Sequence, residues 1–234
     1  MSFQTPYTIF PLGDAALTID FGNQLDEKIN EQVLCLFHWL KAHPPGGVTD
    51  LVPAYSTLTV HYDVPAVVHN HSYATAYETM AFYISKAIAG MTFTAATSKT
   101  VRVPVCYTGD FAPDLQAVAA QTNLTVEEVV RLHTARSYKV YMIGFLPGFS
   151  YMGTVDQRIA VPRRPQPRFK VEGGSVGIAG LQTGIYPFAS PGGWQIIGRT
   201  PLRMFYKDKA RPVLLAPGDE VLFFSIDEDE FAHY

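Results

Sequence analysis

"GFLPGFSYMGTVDQRIAVPRRPQPRFKVEGGSVGIAGLQTGIYPFASPGGWQIIGRTP", residues 144–201, holds eleven of the chain's eighteen glycines. Its apolar residues do not recur every three or four positions, so no helix runs through it. They come instead in short runs broken by glycine and proline. Short strands at this density indicate a barrel or sandwich rather than a parallel α/β sheet.

The residues leading into this stretch fit the same reading. In "TVRVPVCY", Val101, Val103 and Val105 alternate with Arg102, Pro104 and Cys106, which is a strand, and Pro104 places it at an edge or a bulge. "APDLQAVAAQTN" and "LTVEEVVRLHT" are two short helices, the second opened by Thr125 with Glu128 at capping-box spacing. Val129, Val130 and Leu132 face inward, and "YKVYMIGF" returns to strand character.

The first ninety residues have a different rhythm. "YTIFPLG" and "AALTIDFG" are strands around a Gly13–Asp14 turn, and Ile29, Val33, Phe37 and Leu40 repeat at helical spacing until Pro44 to Gly47. "VTDLVPAY" and "STLTVHYD" are strands again, with Leu58, Val60 and Tyr62 on one face. A second helix follows, capped by Ser72, with Tyr73, Tyr77, Met80, Ile84 and Ile88 as its stripe. The order β-β-α-β-β-α places two helices on one face of a small mixed or antiparallel sheet. Periodicity lapses in "AGMTFTAATSKT", which sets a boundary between domains of residues 1–92 and 93–234.

With 234 residues, 47% of them hydrophobic, the chain has ample material for packed cores. A net charge of −3 and a pI near 6.1 give no electrostatic reason to bind nucleic acid. No run reaches bilayer length and no signal sequence opens the chain, so a soluble cytoplasmic protein is expected. Cys35 and Cys106 lack metal or redox spacing and are expected as buried thiols. "HNH" at 69–71 has no third ligand nearby, so no metal is expected. The acidic run Asp227 to Glu230 is expected as a solvated tail.

Neither nucleotide-binding fingerprint is present: "GIAGLQTG" lacks the Gly-Lys-Ser/Thr ending of a P-loop. Its glycines either turn barrel corners or admit another backbone or a ligand. "VPRRPQPRF" holds Arg163, Arg164 and Arg168 extended among prolines, as forks for a carboxylate or phosphate or as charges on a solvated loop. "SPGGWQIIGRT" adds Trp194, either core or ligand platform, and Arg199. His133 is a helix-end histidine bonded to backbone, or an acid or base. Spacing alone names no reaction.

Five blocks carry a resemblance: "PVCYTGDFAPDL", "RLHTARSYKVYMIGFLPGFSYMG", "PRRPQPR", "GSVGIAGLQTGIYP" and "SPGGWQIIGRTP". Together they resemble the family of the B-type subunit of 5-oxoprolinase, also described as allophanate hydrolase subunit 1 and as the sporulation-kinase inhibitor family. Met152 and Thr154 depart from its pattern after "PGFSY". The resemblance implies an α+β fold, a small N-terminal α/β sandwich domain plus a C-terminal cyclophilin-like β-barrel.

The resemblance also implies partners. The B-type subunit works with 5-oxoprolinase subunits C and A to open the lactam of 5-oxoproline to glutamate at the expense of ATP, whose site is not recognisable in this chain. The family's other functions are inhibition of a histidine kinase and a carboxyltransferase-like role in urea or allophanate processing. Carried over by motif, the substrate-binding residues are Arg163, Arg168, Gln182, Thr183, Tyr186, Gly192, Gly193, Trp194 and Arg199. His133, Arg168, Gln182 and Arg199 are the catalytic candidates, with the arginines on the substrate carboxylate or a phosphorylated intermediate and Gln182 and Thr183 on the lactam amide.

Overall fold

The computed structural model describes residues 5–69, 75–91 and 98–234. The chain divides into two compact units, Met1–Thr97 and Ser98–Tyr234.

In the first unit, β1 (Thr8–Pro11), β2 (Ala16–Asp20), β3 (Val48–Pro53) and β4 (Thr57–Tyr62) form one antiparallel sheet in the order β1-β2-β4-β3. The helices are α1 (Glu27–Ala42), α2 (Val64–Val68) and α3 (Ala76–Gly90). Helix α1 begins at Asp26, whose carboxylate accepts from the Lys28 and Ile29 N–H groups at 2.8 and 3.0 Å. Its Val33, Leu36 and Leu40 are fully buried in one cluster with Leu17, Ile19, Leu58 and Val60 of the sheet and Met80 and Ile84 of α3. Each such side chain contributes about 1.5–3 kcal/mol by leaving water. Asn30 is buried on the same helix and donates to the Ala54 and Tyr55 carbonyls, both at 3.1 Å, which ties α1 to the β3–β4 turn.

Helix α3 starts from a capping box between Thr75 and Glu78; Ser72 and Tyr73, expected as its cap and part of its stripe, lie outside the described residues. Helix α2 is not anticipated by apolar spacing, being too short to show a period. It forms because Asp63 accepts from the Ala66 N–H at 2.8 Å while Pro65 fixes the first turn.

The second unit is built around a closed barrel. Its strands are β5 (Thr100–Cys106), β6 (Ser137–Ile143), β7 (Ser150–Gly153), β9 (Ser175–Ala179), β10 (Gln182–Ile185), β12 (Gln195–Arg199) and β13 (Glu220–Ile226). They follow one another as β10-β7-β6-β13-β5-β12-β9, with β9 paired back to β10. Among the described residues only β5 and β13 run parallel. Two further strands, β8 (Arg168–Val171) and β11 (Ser190–Gly192), form a separate ribbon. The helices are α4 (Leu115–Thr122), α5 (Val126–Thr134) and α6 (Glu228–Ala232).

Between β5 and β12 the barrel closes through one described residue pair, Cys106 with Arg199. Pro104, expected at an edge or a bulge, is instead inside the closed barrel, opposite Phe224 in a seven-residue register with β13; its missing N–H is tolerated because the flank toward β12 is paired at Cys106 alone among the described residues. Alternation along the strands sorts side chains into two clusters. Val103, Val105, Met152, Val176, Ile178, Ile185, Val221 and Phe223 fill the barrel with Leu115, Val129 and Leu132 of the helices. Phe149, Val171, Ala179, Tyr186, Trp194 and Ile196 form a second cluster on the outer face.

The capping box expected at Thr125 and Glu128 is present. The acidic run is solvated as expected, but it is the start of α6 rather than a tail. Asp227 caps it, Phe231 packs at a tilt against Phe111 with centroids 4.4 Å apart, and Glu228 accepts from the Thr108 hydroxyl at 3.0 Å. Carboxylates in a first turn are stabilised by the backbone N–H groups there, a position that charge composition alone does not reveal. Both cysteines are buried.

Candidate functional site

Gly177 of β9 and Gly184 of β10 face each other across the two strands. A methyl on either would crowd Trp194: it would lie 3.1 Å from the Trp194 Cβ at Gly177 and 3.0 Å from the indole Cζ3 at Gly184. The two glycines are therefore the seat of Trp194, which is 4% exposed. Phe149 and Tyr151 meet the indole edge-on at centroid distances of 5.4 and 5.9 Å. Of the alternatives open in the sequence, this glycine pair serves close approach, and the approaching group is the protein's own tryptophan.

Tyr186, 1% exposed, packs edge-on against Phe149 at 5.0 Å. Burial raises its phenol pKa, opposed by the Trp194 backbone N–H and by Arg163 and Arg168. The Gly192 backbone passes so close that a side chain there would drive into the Tyr186 phenol, whereas a methyl on Gly193 would meet nothing closer than Pro167 at 3.7 Å. Gly192→Ala is therefore expected to lower stability by about 1–3 kcal/mol. Gly193→Ala should stay within about 0.5 kcal/mol of the parent in the same denaturant titration.

The arginine segment lies along this cluster. The Arg164 N–H donates to the Gly193 carbonyl at 2.7 Å and the Gln195 side-chain amide donates to the Pro162 carbonyl at 3.2 Å. Arg163 is exposed, with its guanidinium 5.8 Å from the Trp194 ring centroid. Arg164 and Arg168 turn the other way, and both donate to Oδ1 of Asp114, Arg164 at 2.9 Å. Asp114 is 2% exposed, and its Oδ2 accepts from the Ile196 N–H at 2.6 Å. Arg164 Nε and Arg168 Nη1 are buried without a hydrogen-bond partner. One carboxylate thus answers two guanidinium groups, and with Arg163 the segment keeps an excess of positive charge.

Arg199 donates from Nε to the Gly173 carbonyl at 2.9 Å, holding the turn after β8. Gln182 opens β10 at a half-buried position, next in sequence to Leu181. Leu181 lines a surface cavity of about 450 Å³ with Arg136, Thr154, Val155, Asp156 and Gln157.

His133 and Thr183 are elsewhere. Both are fully buried, and the Thr183 hydroxyl donates to the Gly177 carbonyl at 3.0 Å. It therefore accepts from His133 Nε2–H at 3.0 Å, which leaves Nδ1 to accept from the Tyr107 hydroxyl at 2.8 Å. The imidazole stacks on Phe223 and Tyr138 with centroids 4.7 and 5.3 Å away. Burial pushes its pKa down to about 3, so it is a neutral core group at pH 7. A role for His133 as acid or base, and for Thr183 as a lactam contact, does not fit groups engaged inside the barrel.

Arg163, Arg168, Tyr186, Gly192, Gly193 and Trp194 thus come together on the outer face, and Arg199 braces it. Sequence reasoning missed Asp114, Phe149 and Tyr151. "APDL" reads only as a helix start, and nothing local ties Asp114 to arginines fifty residues on. At its surface the face offers the exposed Arg163 over Trp194 and Tyr186, which are buried beneath it, and a cation so placed suits an anion.

The family described as "Carboxyltransferase domain, subdomain C and D" matches residues 7–215. A protein of Bacillus subtilis (strain 168), named as the B-type subunit of 5-oxoprolinase, is 40% identical over 231 residues, covering 97% of this chain and 96% of its own. The crystal structure of TTHA0988 superposes with a TM-score of 0.78 at 33% identity, covering 91% of this chain and 40% of that one, so this chain spans less than half of that protein. Kluyveromyces lactis urea amidolyase superposes with a TM-score of 0.76 over 97% of this chain and 15% of its own; at 18% identity that is a likeness of fold. Among the described residues no helix is long and apolar enough to cross a membrane.

Proposed function

Because this chain belongs to the carboxyltransferase subdomain C and D family and aligns end to end with a B-type subunit of 5-oxoprolinase, we propose that it fills that place in an ATP-dependent 5-oxoprolinase. It acts with subunits C and A to open 5-oxoproline to glutamate. The observation that carries this reading is the 40% identity over 97% of the chain.

The substrate is a small lactam bearing one carboxylate. The excess positive charge beside Trp194 suits that carboxylate, and Arg163 is the exposed guanidinium nearest the indole. Arg168 is held by Asp114 and acts as a fixed charge behind it. Among the described residues of this face there is no unengaged carboxylate or imidazole to move a proton. The chain's part is to bind and orient, and subunits C and A supply the reacting groups and the ATP site.

Reconstitution tests this. Glutamate should form from 5-oxoproline and ATP only when all three subunits are mixed, and leaving this chain out should abolish it. A complete mixture that stays inactive overturns the proposal. In the active mixture, Arg163→Ala should raise KM for 5-oxoproline by about tenfold, the loss of one charge-assisted contact. The thermal midpoint should hardly move, since the side chain is exposed.

A further inference from the structure

The ribbon of β8 and β11 carries the most exposed large apolar side chain among those described, Phe169, at 98%. It is not isolated. Phe188, 39% exposed, follows closely on Tyr186, and its backbone would lie 3.0 Å from a methyl on Gly173 at the end of β8. Phe145, 63% exposed, meets Phe149 edge-on at 5.6 Å and is held at φ +67, a region that β-carbon sterics disfavour for phenylalanine. Phe149, which Phe145 meets, belongs to one buried cluster with Val171, Tyr186 and Trp194, and Phe169 and Phe188 lie two residues from Val171 and Tyr186 in sequence. Strand β8 pairs with β11 on one side only among the described residues, so its other edge has unpaired backbone groups.

The charge around these rings selects what they meet. Residues 163–170 hold Arg163, Arg164, Arg168 and Lys170 and no acidic residue. Asp114 answers one of the paired arginines, and Glu172 binds Lys170 at 2.7 Å. Two positive charges remain over, in a chain whose net charge is −3. Exposed aromatics with arginines are the composition of an interface centre. An open strand edge receives extended chain.

We propose that the free edge of β8, with Phe169 at its middle, is the docking surface for an extended, carboxylate-bearing segment of the C-type subunit. The proposal rests on the reading of this chain as one member of the three-part assembly. Docking there brings the partner to the strand that opens with Arg168, one of the arginines of the substrate face, so that the face is shared between the two chains.

The test is titration of the purified chain with the purified C-type subunit by calorimetry at two salt concentrations. Phe169→Asp should weaken binding on the order of tenfold or more. Its thermal midpoint should be unchanged, because the ring is 98% exposed. Lys170→Glu should weaken binding and flatten its salt dependence, since the occupant is acidic. Leu12→Asp, at an exposed leucine of the first unit, should bind as the parent does. Binding of Phe169→Asp within about twofold of the parent overturns the docking site, and if the three-part mixture still forms glutamate the function stands without it. An unaltered chain that fails to bind the C-type subunit overturns the docking site, and an inactive complete mixture overturns the functional reading with it. Self-association of the parent in sedimentation, abolished by Phe169→Asp, would assign the surface to a second copy of this chain instead.

Discussion

Gly174→Ala is expected to leave little folded protein. The residue sits at φ +83 in the turn after β8, where a side chain is strained whatever the space around it, and its Cβ would run into the Thr200 carbonyl oxygen. Neither partner can move aside. The Gly174 N–H donates to the Tyr186 carbonyl at 2.7 Å and its carbonyl accepts from the Thr200 N–H at 2.9 Å, so a shift breaks the bonds joining this turn to two strand ends. Left-handed strain and overpacking together cost about 3–5 kcal/mol. Against a typical total of about 5–15 kcal/mol, that means insoluble protein or a melting midpoint lowered by about 10 °C or more. Gly180→Ala is the control. It has φ +60 but nothing within 4 Å of the added methyl, and should lose only about 1 kcal/mol. Equal losses at the two positions would show that the Thr200 contact does not matter.

The second large effect is on acid stability. His133 titrates near 6.5 in the unfolded chain but is pushed down to about 3 by burial in the barrel. Between these values the unfolded state binds a proton that the folded state does not. The stability is therefore full above about pH 6.5 and falls as the pH drops toward 3, by about 1.4 kcal/mol per unit once well below 6.5. By pH 4 the loss is roughly 3 kcal/mol. Denaturant titrations across this range should show it, and in His133→Gln the slope between pH 6 and 4.5 should be shallower by about one proton. The amide substitution lowers stability at every pH, because it cannot fill the slot between Phe223 and Tyr138. The slope is thus the diagnostic quantity, and an unchanged slope would mean that the imidazole is charged when folded.

Much of the fold was legible because it follows from near neighbours in sequence. The Thr125–Glu128 box, the alternation of Leu58, Val60 and Tyr62, and the density of short strands in residues 144–201 are local signals, and each has its counterpart in the structure. The composition of the outer face was legible through the resemblance: its tryptophan, arginines and glycines were named, though not what each one does. Function of a residue in space depends on partners far along the chain. Asp114 meets Ile196 across 82 positions, and His133 meets Thr183 across 50. Nothing near Thr183 marks it as facing inward while Gly184 faces Trp194. That follows only from the register of β10 between β7 and β9.

The place of β13 in the barrel governs how the protein is made. It is the last strand described along the chain, yet it lies between β5 and β6, which come first in the second unit. A ribosome releases β5 to β12 before residues 220–226 can emerge from the exit tunnel. Until then the edges of β5 and β6 that will hold β13 are bare, and Val221 and Phe223 are missing from the interior. The nascent barrel therefore waits as an open sheet, exposed to aggregation through its unpaired edges, and closes only once those residues arrive. Slow translation cannot help this unit fold piece by piece, and a stop codon before residue 220 yields a chain with two templating edges in place of a shortened barrel.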